Sequence, residues 1–581
     1  MSISKVHELI QNKGCVWTVS ILMILSMVVG SFAMCGRANR FEDAGNPSAT
    51  SQVVAKVGET NITEALIQSE LERGAAMYGG LSNLPASFQV QIEAGIIRSA
   101  IQNILQLQMA KKYGIEASDS DIEKIIRQGV DQELAQFKSQ LVAQKKLKPE
   151  ATEAEFAAAF KKESGKDLGE LKEDAVSQNM EKIKASPDLR IPLASQAISA
   201  PLMSAIQKEI KLPDEELKQT YDTLEVKRIV LTKGNPDQTA KKILDEIHKG
   251  SLTFEQAMDK YSEGTPEPKK KLSDKIDPLS RVSIKGFEAY RQLEELKPGQ
   301  VSKPIPIGPS VNLFKLIRIK SDVPKDFEKK KDTYRESQMA TLAAQKLQAD
   351  LQEQVKNVEV VWLSDAYKAL YDFGRVATEN LPSDERNKLQ RQVLDESLKA
   401  ATEGDPSQAR LASSVAYVTF QNIYSTATPE EKKKLDEDKI KVYEAYLMDN
   451  EDAAMRLELV EVYKLQKKGP EFYNQLMAAA NANLSQTDTI GQGVFSQINK
   501  YIKEGQDLKL ITADEVKSLQ DIQQQWIAQK ADQDRMDAEA KKEEEEAKKA
   551  AEEDVKKANA EKAAKVKSRE TSSSKKPNSG G

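Results

Sequence analysis

From Ile92 to Tyr113 the apolar positions Ile97, Ile101, Leu105 and Met109 fall at four-residue steps, with polar residues between them. That spacing predicts an amphipathic helix, and Gly114 closes it. Ser120 with Glu123 offers a capping box for the helix that follows. Upstream, Val53 to Thr63 reads as a short hairpin or strand leading into a helix, with Thr63 as N-cap and Ile62 and Ile67 spaced as a hydrophobic staple. Tyr78 to Phe88 contains Gly79-Gly80 and Pro85 and reads as a loop. The pattern changes at Leu224. A β-branched run, Val226 to Leu231, is followed by a helix with Ala240, Ile243, Leu244 and Ile247 on one face. A second short helix around Phe254, Ala257 and Tyr261 comes next, then a Pro298-Gly299 turn and a last apolar strand from Val311 to Ile319. Together these make an α+β unit of about a hundred residues, an ordinary domain size.

Helical periodicity returns over Lys325 to Val358, with Met339, Leu342, Ala343, Leu347 and Leu351 inward, and Val358 to Trp362 is a short β-like run. Asp405-Pro406 marks a break. From there to Lys530 the chain is helical again, interrupted at Thr428-Pro429, Gly469-Pro470 and Gln486 to Asp488, and it faintly resembles tetratricopeptide-type hairpin repeats. Ala531 to Lys567 is almost all Ala, Glu, Lys and Asp, so a solvated single helix is expected, and the remainder to Gly581 should be disordered. The expected fold class is mostly α with one α+β domain.

Composition changes this picture in three places. A net charge of −5 in 581 residues leaves no global basic field, which argues against nucleic acid as a partner. Cys15 to Met34 is the one apolar run of membrane length; at ~1.5 Å per residue its twenty residues cover the ~30 Å hydrocarbon core. An uncleaved anchor is the preferred reading, because the run exceeds a signal peptide's apolar core. A cleaved signal peptide, or a lipoprotein signal ending in Phe32-Ala-Met-Cys35, are the alternatives. Lys5 and Lys13 before the run balance Arg37 and Arg40 after it, so charge alone leaves the orientation open. Two cysteines at the ends of the run and two histidines, His7 and His248, leave no basis for an exported disulfide, a zinc site or a serine-hydrolase triad, and no cofactor is expected.

Gly250-Ser-Leu-Thr-Phe254-Glu-Gln-Ala257-Met-Asp-Lys-Tyr261-Ser262 and Leu296-Lys-Pro298-Gly299-Gln-Val301-Ser302-Lys-Pro304 resemble the G-x-x-F-x-x-A-x-x-Y-S and L-x-P-G-x-V-S-x-P signatures of parvulin peptidyl-prolyl isomerases. Arg228 stands where that family places its first histidine, and Asn312 falls near the second. The resemblance thus implies a retained scaffold whose usual catalytic core is lost, with Asp274, Asn312 and Arg228 as the remaining catalytic candidates. An isomerisation pocket would be walled by Leu231, Phe287, Val301 and Phe314. Val57-Gly58-Glu-Thr-Asn-Ile62-Thr63, the Asn103 to Ile115 helix and Glu155 to Lys184 are similar to the N-terminal domain of SurA and PpiD type extracytoplasmic chaperones, and Leu212 to Tyr221 resembles the acidic helix that leads into their parvulin domain. That likeness implies a helical clamp for unfolded exported chains, completed by the helix after the isomerase-like unit, with Tyr78, Leu81, Leu84 and Phe88 as groove residues.

These readings divide the chain into a cytoplasmic end (1–14), an anchor (15–34), a linker (35–52), a chaperone domain (53–222, completed by 325–361), a parvulin-like domain (223–322), a connector (362–405), a helical domain (406–530), a charged helix (531–567) and a tail (568–581). The function expected is that of a folding factor anchored in the bacterial inner membrane, its bulk in the periplasm, binding unfolded exported proteins and a further protein partner at its C-terminal helices. An active prolyl isomerase is the first alternative and an envelope scaffold the second.

Overall fold

The computed structural model describes residues 52–76, 85–144, 146–263, 271–285, 288–308, 310–484, 486 and 488–573. The predicted anchor therefore lies outside the described residues, as do Tyr78, Leu81, Leu84 and Phe287. No described helix is long and apolar enough to cross a membrane. Helix dominates, with two small antiparallel sheets. The described chain falls into two compact units, one reaching Tyr446 and one starting at Leu447.

The first unit opens with β1 (Val53–Val57) and β2 (Thr60–Thr63), joined by a tight turn in which Gly58 has φ 59°. A left-handed residue at this corner matches the twist of the two strands, and glycine adopts it without a Cβ clash. Thr63 Oγ1 accepts a hydrogen bond from the Leu66 amide at 3.2 Å and so caps α1 (Glu64–Ala76), while Ile62 and Ile67 are both buried beside it. Next comes α2 (Ala86–Lys112), which starts earlier than its periodicity indicated, directly after Pro85. The chain then turns at Gly114 (φ 69°) into α3 (Asp119–Ala143). Its capping box is formed by Ser118 and Asp121, two residues ahead of the Ser120–Glu123 pair, because the helix begins at Asp119 and Ser120 is already inside it.

With α4 (Glu153–Ser164) and α5 (Leu168–Ala185), α3 builds a core of its own. Phe137 meets Phe160 edge-on at 5.4 Å between ring centroids, and Ile126, Val130, Leu171 and Val176 fill the space around them. α6 (Arg190–Glu209) returns to pack on α2, and the short α7 (Asp214–Gln219) leads into the second sheet.

That sheet has the order β4-β3-β6-β5, antiparallel throughout: β3 (Asp222–Leu231), β4 (Asp277–Ser280), β5 (Ile305–Ile307) and β6 (Ser310–Ser321). Helices α8 (Pro236–His248) and α9 (Phe254–Tyr261) lie on one face, over Ile229, Leu231, Val311 and Leu313. The short α10 (Arg281–Lys285) and the turn carrying Tyr290 and Leu293 lie on the other, over Val226, Phe314 and Leu316.

The chain then comes back through α11 (Lys331–Asn357), which packs on α2 and α6, to β7 (Val360–Trp362). β7 pairs with β1, setting Trp362 opposite Ala55, so the first sheet has the order β2-β1-β7 and the second sheet with its helices is an insertion within the helical fold. Three further helices, α12 (Asp365–Thr378), α13 (Ser383–Glu403) and α14 (Ala409–Thr426), pack together, and α12 and α14 also lie against α2. Val415 and Val418 of α14 belong to the same core as Ile97 and Ile101. Asp405-Pro406 is thus a helix start and not an end of packing: Asp405 Oδ1 accepts from the Ser407 amide at 2.9 Å, and the turn runs straight into α14. α15 (Pro429–Lys434) and α16 (Asp436–Leu447) follow.

In the second unit α17 (Ala453–Leu465) and α18 (Gly469–Ala482) form one helical hairpin, and α19 (Thr489–Asp507) and the first turns of α20 (Ala513–Ser573) form another. Each hairpin turns through a lysine in the left-handed region, Lys467 at φ 56° and Lys509 at φ 57°. A Cβ on Gly469 would sit 2.6 Å from the Leu510 carbonyl oxygen, so the two turns approach too closely for any larger residue. Phe472, Leu476, Ile498 and Leu519 are buried in this unit. Trp526 stacks on Phe495 at 4.3 Å and donates its indole N–H to the Gln486 carbonyl. α20 continues without a break to Ser573, past the expected end at Lys567.

Candidate peptide-binding site

The two motifs that carry the parvulin likeness do identifiable mechanical work. Ser262, closing α9, accepts from the Val230 amide at 3.0 Å, and the Glu263 amide donates to the Val230 carbonyl. In the second motif Gly299 has φ 90° and its amide reaches the Leu316 carbonyl at 2.7 Å. Ser302 then grips Phe314 twice: its amide donates to the Phe314 carbonyl at 2.8 Å, and its hydroxyl accepts from the Phe314 amide at 3.0 Å. Both serines therefore fasten flanking chain to the central β3–β6 pair. Sequence reading passed over Ser262 and Ser302 as site-shaping residues, although each stood in plain view as the serine of a motif.

Strand alternation decides which candidate residues meet. Arg228 lies opposite Phe314, and Asn312 opposite Val230, so Arg228, Asn312 and Phe314 share one face of the sheet. Leu231 lies on the other face, 4% exposed beneath α8 and α9, with Val301 half-buried against the same cluster. Phe314 is 1% exposed and meets Tyr290 edge-on at 5.8 Å. Leu231 and Val301 therefore cannot wall one pocket with Phe314, because a residue's parity along a strand sends its side chain through one face only.

The polar candidates are also committed. Arg228 Nε lies 3.4 Å from Asp277 Oδ2 on neighbouring β4. Asn312 is 2% exposed, and its Nδ2 donates to Ser310 Oγ at 2.9 Å. Asp274 is exposed and accepts from the Lys271 amide of its own turn at 3.0 Å. His248 ends α8. On the helical side Glu255 of α9 bonds Lys315 at 3.0 Å and Lys227 at 3.2 Å. Burial works to raise the Glu255 pKa, but these two ammonium groups outweigh it and hold the carboxylate below its ordinary range.

A second set of contacts ties the sheet unit to the helical fold. The Gly308 amide, in the β5–β6 turn, donates to Asn380 Oδ1 at 3.0 Å. The Arg386 guanidinium, 8% exposed as a residue, donates to the Gly308 and Leu381 carbonyls, and Asp237 at the start of α8 accepts from the Ser383 amide at 2.8 Å. The α12–α13 connection thereby holds the β5–β6 end of the sheet. These partners lie far apart in sequence, and no local pattern announced them.

Of the groove candidates, Phe88 is described. It sits in the first turn of α2, 38% exposed, where a loop was expected. A small crevice with room for about one water is bounded by Leu66, Ile96, Ala100 and Ile191, and Phe88 is not among its lining residues. Met109 is buried in the core.

Residues 8–164 match the SurA-like N-terminal domain family. The foldase protein PrsA of Clostridium perfringens, in each of two strains, is 28% identical over 122 residues, which is 19% of this chain and 36% of the relative. The chain thus aligns with about a third of the length of these curated relatives. Among solved structures, the peptidylprolyl isomerase PrsA from Bacillus cereus is similar at 16% identity over 53% of this chain and 93% of that one, with a TM-score of 0.21. A structure from work on the SurA-like chaperones PEB4 and Cj1289 of Campylobacter jejuni is similar at 12% identity over 54% and 98%, with a TM-score of 0.18.

Proposed function

We propose that this chain is an extracytoplasmic chaperone of the foldase kind, tethered to the bacterial inner membrane by the apolar run 15–34, which holds unfolded exported polypeptides. The observation that carries the reading is the match of residues 8–164 to the SurA-like N-terminal domain. Clients are gripped through Tyr78, Leu81, Leu84 and Phe88, side chains whose breadth suits loose, sequence-tolerant apolar contact. The helical hairpins beyond Leu447 recruit a protein partner. Full-length protein in detergent, added at equimolar amounts, is expected to suppress aggregation of a chemically denatured model protein at least twofold by light scattering. Changing the four groove residues to serine together is expected to remove most of that effect. Unchanged scattering with a several-fold excess of the parent protein would defeat the proposal.

The sheet unit serves in this reading as a peptide-docking or spacing module. Prolyl isomerisation crosses a barrier of ~20 kcal/mol set by amide resonance, and a catalyst must aim polar groups at the twisted amide beside an apolar slot for the ring. Here Arg228 is engaged by Asp277 and Asn312 by Ser310, while the apolar candidates divide between two faces. Isomerisation of a proline tetrapeptide, followed by protease-coupled absorbance, is expected to run within twofold of the buffer rate. Acceleration above tenfold that disappears in Asp274→Ala or Asn312→Ala would establish the enzyme instead.

A further inference from the structure

α20 is a helix of 61 residues, yet its apolar support ends early. Among the described side chains of this helix, Trp526 is the last that is buried. Beyond it the apolar residues larger than alanine are Ile527, Met536, Val555 and Val566, and the first two are exposed. Their spacing follows no heptad, so no partner helix could bury a continuous seam against this segment.

What the segment has instead is charge at helical spacing. Asp537, Lys541, Glu545, Lys549, Glu553, Lys557, Glu561 and Lys565 alternate in sign at four-residue steps. Residues four apart are neighbours on a helix surface, so this order sets each of the six inner charges, Lys541 to Glu561, between two of opposite sign. Just before this row two bonds span four residues each, Lys530 Nζ to Asp534 Oδ1 at 2.6 Å and Gln533 Nε2 to Asp537 Oδ1 at 2.7 Å. An isolated helix in water is marginal without such pairs, because nucleation is costly and no burial offsets it.

We propose that α20 beyond Lys530 is a self-supporting rod, a spacer that holds the segment after Ser568 at a fixed distance from the C-terminal helical unit. The reading does not depend on chaperone activity. To test it, Cys15 and Cys35 are replaced by serine in the full chain, and spin labels are attached through Gln529→Cys and Ser568→Cys. A helix spanning these 39 residue steps (568 − 529) gives one narrow interspin distance near ~58 Å at ~1.5 Å per residue. A disordered chain of that length gives a broad distribution near ~35 Å. With Lys541, Lys549, Lys557 and Lys565 all changed to glutamate, like charges stand four residues apart, and the distance is expected to shorten and broaden. A broad distribution in the parent chain overturns the proposal. So does a narrow ~58 Å distance that survives the four substitutions, or an intermolecular distance showing that the helix is paired.

Discussion

Gly374→Leu is expected to destabilise the first unit by about 3 kcal/mol, with Gly374→Ala close to neutral. Gly374 is buried on α12 where that helix crosses α2, and a Cβ built there would lie 3.2 Å from Ala94 Cβ. One methyl group at that distance is accommodated by a shift of a few tenths of an ångström, and alanine's better helix propensity offsets part of the strain. Leucine adds three further carbons with no space between the helices. α12 must then lift away, and the contacts of Ala369, Leu370 and Phe373 with the core around Ile97 and Ile101 are lost with it. Hydrogen exchange should report loss of protection in α12 and α2 first. Adding Ala94→Gly should restore part of the loss, since the two positions touch and their effects are not additive. A leucine variant with parent-like exchange in both helices would show that the close crossing is not formed.

Glu93→Gln is expected to stabilise the same core by up to about 3 kcal/mol at pH 8 and by almost nothing at pH 4. Glu93 lies on α2. Burial raises its carboxyl pKa from 4.5 to about 7, against the opposing pull of Arg410 on α14. Tyr367 of α12 has its own hydroxyl pKa raised by burial and by the nearby carboxylates of Glu64 and Glu93. Between pH 4.5 and 7 the unfolded chain has released this proton while the folded chain keeps it. The native state then binds more protons, so stability falls as pH rises through that window and stays lower above it. Glutamine resembles the protonated acid and removes the fall. Urea midpoints measured from pH 4 to 8 check this: parent and variant should coincide at low pH and separate as pH rises. Parallel curves across the range would mean that Glu93 titrates alike in the folded and the unfolded chain.

Much of the chain could be read locally. The β1–β2 hairpin, the Thr63 cap, the helix carrying Ile97 to Met109 and the order of elements in the α+β unit rest on interactions within one or two turns, and those are written in residue spacing. The two motif stretches were visible as well, and they proved to hold Ser262 and Ser302, which fasten the sheet. Closure over long range was decided by the tertiary structure. It put α14 into the α2 core across the Asp405-Pro406 turn, and it placed Arg386 and Asp237 where the sheet unit meets α13. It also assigned Leu231 and Phe314 to opposite faces of one sheet. Periodicity tells which side of an element is apolar. Which other element covers that side depends on strand register and on helix crossings between residues far apart in the chain, and no spacing within a single segment contains that information.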